Sequence, residues 1–338
     1  MGYQLGQGFE HLTLANLTTG EKDDFARRWC SLTELPERHT TATEELIHDI
    51  HSADRIERLT GSPMLLTTMA LVKRKVGKLP NRRADLYEEA LQVLLNWRRE
   101  VDEPLDWREA IPQLEYIAYE MCDQGVQQLR QDELLDLFAH MRGDYPNVHA
   151  VRNRSSEDFL RRLEARTGIL VEAGHVRHLG LPVPVYEFRH LTFQEYLAAR
   201  ALVDRRFPNR YPKQSLASRT TESATHVFED VSVVENWREA LRLFAAICND
   251  DDVDDVLLAI LTPQDGDPPS TIRDRAIMAA LCLADEPNVS EQIAEQVFLS
   301  LAKQVKEGGG GDNVESNLDA AVIELSRTHR AMLCVLLC

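Results

Sequence analysis

Along most of this chain apolar residues recur at helical spacing, and strand-like alternation is confined to one short region. Phe25, Trp29 and Cys30 mark the apolar side of a helix predicted over 23–35. Leu46, Ile50 and Ile56 supply the core face of a second, continuous over 44–58. After Pro63, Leu65, Met69, Val72 and Val76 fall at successive helical turns, and Leu86, Ala90, Leu94 and Trp97 repeat that spacing. Together these segments predict a helical bundle.

Residues 112–205 change character. Three helical stretches (114–121, 132–141 and 156–165) lead into Gly168-Ile169-Leu170-Val171-Glu172-Ala173-Gly174, which is β-prone. A second strand, Val183–Phe188, lies across a loop of Gly, His and Pro, so three helices and a β-hairpin predict a winged helix. Residues 207–230 are polar, contain Pro208 and Pro212, and predict a linker or mobile loop. Helical rows then resume: Trp237, Leu241, Phe244, Ile247; Ile272, Ala276, Ala279, Leu283; Ile293, Val297, Leu301, Val305. Helix pairs beginning near 237, 271 and 316 are about 35–45 residues apart, a spacing that fits HEAT-like repeats. Gly308-Gly309-Gly310-Gly311 reads as a turn between repeats, since no strand precedes it. The fold class is therefore mostly α: a helical bundle, a winged helix with a small β-hairpin, then α-helical (HEAT-like) repeats.

Strand chemistry turns into helix chemistry at one residue, His190. Val183, Val185 and Phe188 are β-prone, whereas from Thr192 onward Phe193, Tyr196, Leu197 and Leu202 form an apolar helical stripe. Thr192 with Glu195 predicts a capping box. His190 thus stands just before a helix N-terminus, where free N–H groups and the macrodipole favour an anion such as phosphate.

The stretch Tyr186-Glu187-Phe188-Arg189-His190-Leu191-Thr192-Phe193-Gln194-Glu195-Tyr196-Leu197-Ala198-Ala199 resembles the F-x-H-x-T/S-F-Q-E-Y/F-L/F-A-A signature that closes the winged-helix domain of NACHT-type (STAND) NTPases. Gly61-Ser62-Pro63-Met64-Leu65-Leu66 is similar to the turn opening the first helical domain of that family. Gly77-Lys78-Leu79-Pro80-Asn81-Arg82-Arg83-Ala84-Asp85-Leu86-Tyr87-Glu88-Glu89 resembles its joint between two helices. Val234-Glu235-Asn236-Trp237-Arg238-Glu239 resembles the start of its second helical domain. The likeness runs over roughly residues 1–250, with the four motifs in family order. It implies that His190 faces the β-phosphate of ADP and holds the molecule closed, and that Pro63 packs on the adenine. It also implies a tail of a nucleotide-binding domain at 1–20, where Leu12-Thr13-Leu14 is extended and Gly2-Tyr3 follows the position of the family's sensor arginine. A first helical domain at 21–110, a winged helix at 111–206, a linker at 207–236 and a second helical/HEAT-like domain at 237–338 complete the expected order. The apolar end Ala331–Cys338 is expected to be half of a truncated helix.

No G-x-x-x-x-G-K-[ST] loop occurs in the sequence, and the acidic run Asp250-Asp251-Asp252-Val253-Asp254-Asp255 has no apolar strand before it, so a phosphate-cradling core is not encoded here. Any ATP or ADP would be held by a P-loop domain in cis or trans, and none firmly by this chain alone. Hence no enzyme activity is expected of the polypeptide by itself.

Composition narrows the partners. A net charge of −17 over 338 residues argues against nucleic acid, and the expected wing, Gly174-His175-Val176-Arg177-His178, carries one fixed charge. The local cluster Lys73, Arg74, Lys75, Lys78, Arg82, Arg83 reads first as a solvated helix end. Six scattered cysteines without a C-x-x-C pair, and no signal peptide or long apolar run, fit a cytoplasmic protein that neither crosses nor binds a membrane. His48 and His51 could share a metal, but no third ligand of fixed spacing accompanies them.

The function expected is therefore the regulatory and oligomerisation half of a NACHT/STAND switch in microbial defence or signalling. It would form a homo-oligomer when active and respond to an unknown trigger ligand. The alternative is a stand-alone helical-repeat scaffold whose winged helix binds protein or DNA without nucleotide.

Overall fold

The computed structural model describes residues 15–52, 54–80, 82–96, 105–210, 214–229, 234–307 and 312–330. The expectations placed on Leu12–Leu14, Trp97, Gly308–Gly311 and the apolar chain end lie outside these residues. Two compact units divide at Val93 and Leu94.

The first unit is helical. Thr18 and Glu21 form the capping box that starts α1 (Thr19–Thr33), the Thr18 hydroxyl accepting from the Glu21 N–H and the Glu21 carboxylate from the Thr18 N–H. α2 (His39–His51) and α3 (Asp54–Leu59) follow, so the helix expected unbroken over 44–58 stops after His51. His51, the last residue of α2, has its two ring nitrogens 3.0 Å from Asp23 Oδ1 and 3.1 Å from Glu57 Oε1, which hold it between α1 and α3. α4 (Pro63–Val76) closes on a left-handed Gly77, and α5 (Arg83–Leu95) runs across the unit boundary. Ala26, Cys30, Leu46, Ile50, Leu66 and Ala70 make the core. Each larger side chain there contributes about 1.5–3 kcal/mol by leaving water. Val76, expected in the core stripe, is exposed in the last turn of α4.

The second unit opens with α6 (Trp107–Asp123), whose residues 109–119 are buried on every side, as in a central helix. β1 (Gln128–Arg130), α7 (Gln131–Asp144) and α8 (Ser156–Thr167) follow, then β2 (Leu170–His178), β3 (Leu181–Phe188) and α9 (Leu191–Val203). The sheet is antiparallel in the order β1-β3-β2. Val176 faces Val183 and His178 faces Leu181 across the hairpin. β1 is a third strand that the sequence pattern does not announce: Gln-Leu-Arg has no strand signature and is extended because β3 offers it an edge. The strands also run farther than expected, to a two-residue turn at Leu179 and Gly180, both with positive φ (50° and 84°), as a type I′ hairpin requires.

Residues 207–230, expected as linker or loop, contain α10 (Leu216–Glu229). Its polar composition hid a narrow buried stripe, Leu216 and Thr220, which packs toward α11 (Val234–Ile247) and α12 (Val253–Leu261). α13 (Pro269–Ala284), α14 (Glu291–Glu307) and α15 (Asp312–Ser326) complete the helical region. The buried rows fall where the sequence puts them at Trp237, Leu241, Phe244, Ala276, Ala279, Leu283, Ile293, Val297 and Leu301, whereas Val305 is exposed. α9 lies between α6 and α11, so the winged helix and the following helices share one core.

Candidate functional site

The seam between β3 and α9 is built from backbone rules. Ile169 accepts the Arg189 N–H at 2.8 Å, which carries the sheet ladder to the residue before His190. His190 is extended (φ −141°, ψ 133°) and caps α9, its carbonyl accepting from the Phe193 N–H at 3.0 Å. The helix therefore begins two residues earlier than a Thr192 cap would place it. Thr192 and Glu195 do not form the expected capping box; the imidazole takes the part assigned to the hydroxyl.

His190 Nδ1 accepts from the Thr192 N–H at 3.3 Å and lies 2.8 Å from the Thr192 hydroxyl. A backbone N–H can only donate, so Nδ1 is the acceptor and the proton of the neutral ring sits on Nε2. Burial pushes the His190 pKa below its ordinary value, favouring that neutral form. Among the described residues no hydrogen bond engages Nε2, and the side chain is half-buried rather than enclosed. The seam thus offers one oriented N–H donor beside the positive end of a helix dipole.

Arg189, the preceding residue, turns back to the sheet. Its Nε donates to the Gly168 carbonyl at 2.7 Å, at the point where α8 ends in a left-handed glycine (φ 58°).

Below the seam α9 is held by buried charge. Glu115 on α6 is fully buried and receives Arg200 Nε at 3.1 Å on one oxygen and Arg206 Nη1 at 2.7 Å on the other. Asp204 faces both arginines at 3.5 and 3.2 Å, and the Trp107 ring lies 5.7 Å beneath the Arg200 guanidinium. Burial raises the Glu115 carboxyl to about 7 against the pull of Arg206 and Arg200. A second buried carboxylate, Glu109, pairs with Arg154, and burial raises it too. No periodic pattern along the chain marks these residues, although a glutamate inside the apolar run 110–119, Glu115, is itself a sign of a buried partner.

Pro63 occupies the first position of α4, after a Ser62 cap, and is exposed. It belongs to the first unit and His190 to the second. In the third motif Leu79 is buried and the chain turns from α4 to α5; in the fourth Trp237 is fully buried near the start of α11. Among the described residues no three His, Cys, Asp or Glu side chains gather as metal ligands, and His48 is exposed while His51 is held by carboxylates. On α8, the helix a winged helix would present to DNA, Asp158 lies 3.5 Å from Arg161 and 3.2 Å from Arg162, so these two cations face an anion already. No helix among the described residues is long and apolar enough to cross a membrane.

Three helices, a three-stranded sheet and a β-hairpin wing, continued by a helix capped by histidine, define a winged helix-turn-helix domain. Residues 83–202 match the family described as the winged helix-turn-helix domain C-terminal to NACHT. That stretch, ending at Leu202 in α9, is a NACHT-associated winged helix. No curated protein matches the chain.

Proposed function

We propose that this chain is the regulatory and oligomerisation half of a NACHT/STAND nucleotide switch, reading ADP or ATP held by a P-loop domain. One observation carries the reading: His190 has Nδ1 committed to its own helix cap, which leaves Nε2–H as a fixed donor at the N-terminus of α9. In ADP-bound protein His190 donates to the β-phosphate and holds the winged helix closed. Pro63, exposed at the start of α4, packs on the adenine. Exchange for ATP breaks the His190 bond, and the winged helix is freed for homo-oligomerisation. The helices after α9 sense a trigger, in a cytoplasmic protein of microbial defence or signalling. Neither a membrane nor nucleic acid is a partner in this scheme, and the Asp158 pairing on α8 supports that side of it.

A hydrogen bond to a phosphate contributes about 1.5–3 kcal/mol, on the order of a 10- to 100-fold bias toward the closed state. The test supplies the P-loop domain, in the native protein or in trans, and measures ADP release. His190→Ala should speed release by about that factor and raise basal oligomerisation. Unchanged release in a folded variant defeats the reading.

A further inference from the structure

We propose that α9 is the coupling rod between the helices after the winged helix and His190, and that its lower end is gripped by two adjoining clusters built on one face of α6. The first cluster is the buried ion group of Glu115, Arg200, Asp204 and Arg206. The second is one helical turn along, where Tyr119 stacks on Phe207 with centroids 5.1 Å apart and meets the edge of Trp237 at 5.2 Å. Glu115 and Tyr119 are four residues apart, hence neighbours on the same face of α6. Arg219 of α10 lies over both the Tyr119 and Phe207 rings, at 5.2 and 5.0 Å. Four elements therefore meet at one point: α6, the strap 204–210, α10 and α11.

The strap itself is held in an unfavourable backbone. Arg205 has positive φ (55°), which an arginine adopts only when its surroundings impose it, and Asn209 shares that φ, which asparagine tolerates. What imposes it is Tyr145: its hydroxyl donates to the Phe207 carbonyl at 2.7 Å, with the Arg205 carbonyl 3.1 Å away, and accepts the Phe207 N–H at 2.9 Å. At the aromatic cluster Tyr119 Oη, Trp237 Nε1 and Arg219 Nε are buried without a hydrogen-bond partner among the described residues. Such packing is less completely satisfied than the ion group beside it, so a rearrangement there gives up fewer bonds.

Above the grip α9 has no slack. Residues 193–199, 201 and 202 are buried, and Ala198, Ala199 and Ala201 bring its backbone close to its neighbours. A close-packed helix passes a displacement along its length rather than absorbing it. A shift of α10 or α11, moving Trp237 or Arg219, is thereby delivered to the cap that orients His190. The functional consequence rests on the nucleotide-facing reading of His190; the coupling does not.

The experiment uses the full chain without nucleotide. Amide exchange is followed over Thr192–Glu195 and 204–210, with the ring resonances of His190 assigned by His190→Asn. Arg206→Gln and Tyr145→Phe should each raise exchange over Thr192–Glu195 at least tenfold and move the His190 resonances, while the surface change Arg161→Ala does neither. Faster exchange confined to 204–210 would overturn the proposal, and so would a uniform rise over α6, α7 and α8, which reports general unfolding. Should Arg206→Gln not fold, Tyr145→Phe removes only a hydroxyl and decides the matter. Loss of ADP sensing with this coupling intact would instead count against the proposed function alone.

Discussion

Gly168 and Arg189 interlock where the wing begins. A Cβ built on Gly168 would stand 2.9 Å from an Nη of Arg189, whose Nε donates to the Gly168 carbonyl at 2.7 Å. The glycine ends α8 in the left-handed region, and the arginine one residue before His190 fastens the end of β3 to that turn.

Gly168→Ala should therefore lower stability by about 1–2 kcal/mol, from left-handed strain and a displaced guanidinium. Gly143→Ala, inside α7 with nothing within 4 Å of the new methyl, should stabilise by about 0.5–1 kcal/mol. Urea unfolding of both variants checks the pair; equal effects would mean that Arg189 and the left-handed turn do not matter.

Leu179 sits at the first central position of the wing turn with φ 50° and is 91% exposed. Leu179→Asn should raise stability by about 0.5–1 kcal/mol, since asparagine tolerates that conformation and leucine loses no burial by leaving. A fall in melting temperature would show that the leucine is packed in solution.

His190 makes stability depend on pH in a defined direction. Its folded pKa is below the ordinary 6.5, so the folded state binds this proton less well than the unfolded chain. The contribution is fully present above 6.5 and is lost as pH falls through that value toward the lower folded pKa. Protonating Nδ1 would also abolish its acceptance from the Thr192 N–H. His190→Asn keeps a capping side chain without the titration. The gap in unfolding midpoint between wild type and variant should shift against the wild type from pH 7.5 to pH 5.5; a constant gap excludes the linkage.

The polypeptide alone should turn over no ATP. Hydrolysis needs a phosphate-cradling loop, a lysine and a magnesium-holding acid together, and no such loop is present in the sequence. Turnover above a contaminant control, abolished by a substitution in this chain, would refute this.

How far the fold is legible in the sequence depends on what kind of force builds each part. Trp237, Leu241 and Phe244, like Leu46 and Ile50, are buried where their spacing says, because a single helix face meeting a core leaves a periodic trace. The same rule misplaces Val76 and Val305, which are exposed; on α14 the buried row passes instead through Gln304, three residues after Leu301. α10 was hidden for the opposite reason: among its described side chains Leu216 and Thr220 are the buried ones, too few to outweigh the polar residues and prolines around them.

Most of the helices, the winged helix with its hairpin, and the place of His190 between a strand and a helix could be read from the chain alone, since each follows from local spacing or from a motif of adjacent residues. That the imidazole rather than Thr192 caps α9 was settled by packing, because the choice turns on where β3 delivers the chain. Packing alone brought Glu115 to Arg200 and Arg206, 85 and 91 residues away, and Tyr145 to the strap at Phe207. Charges that pair across such distances have no period along the chain. Their partner is chosen by packing, and packing exists only once the helices have met.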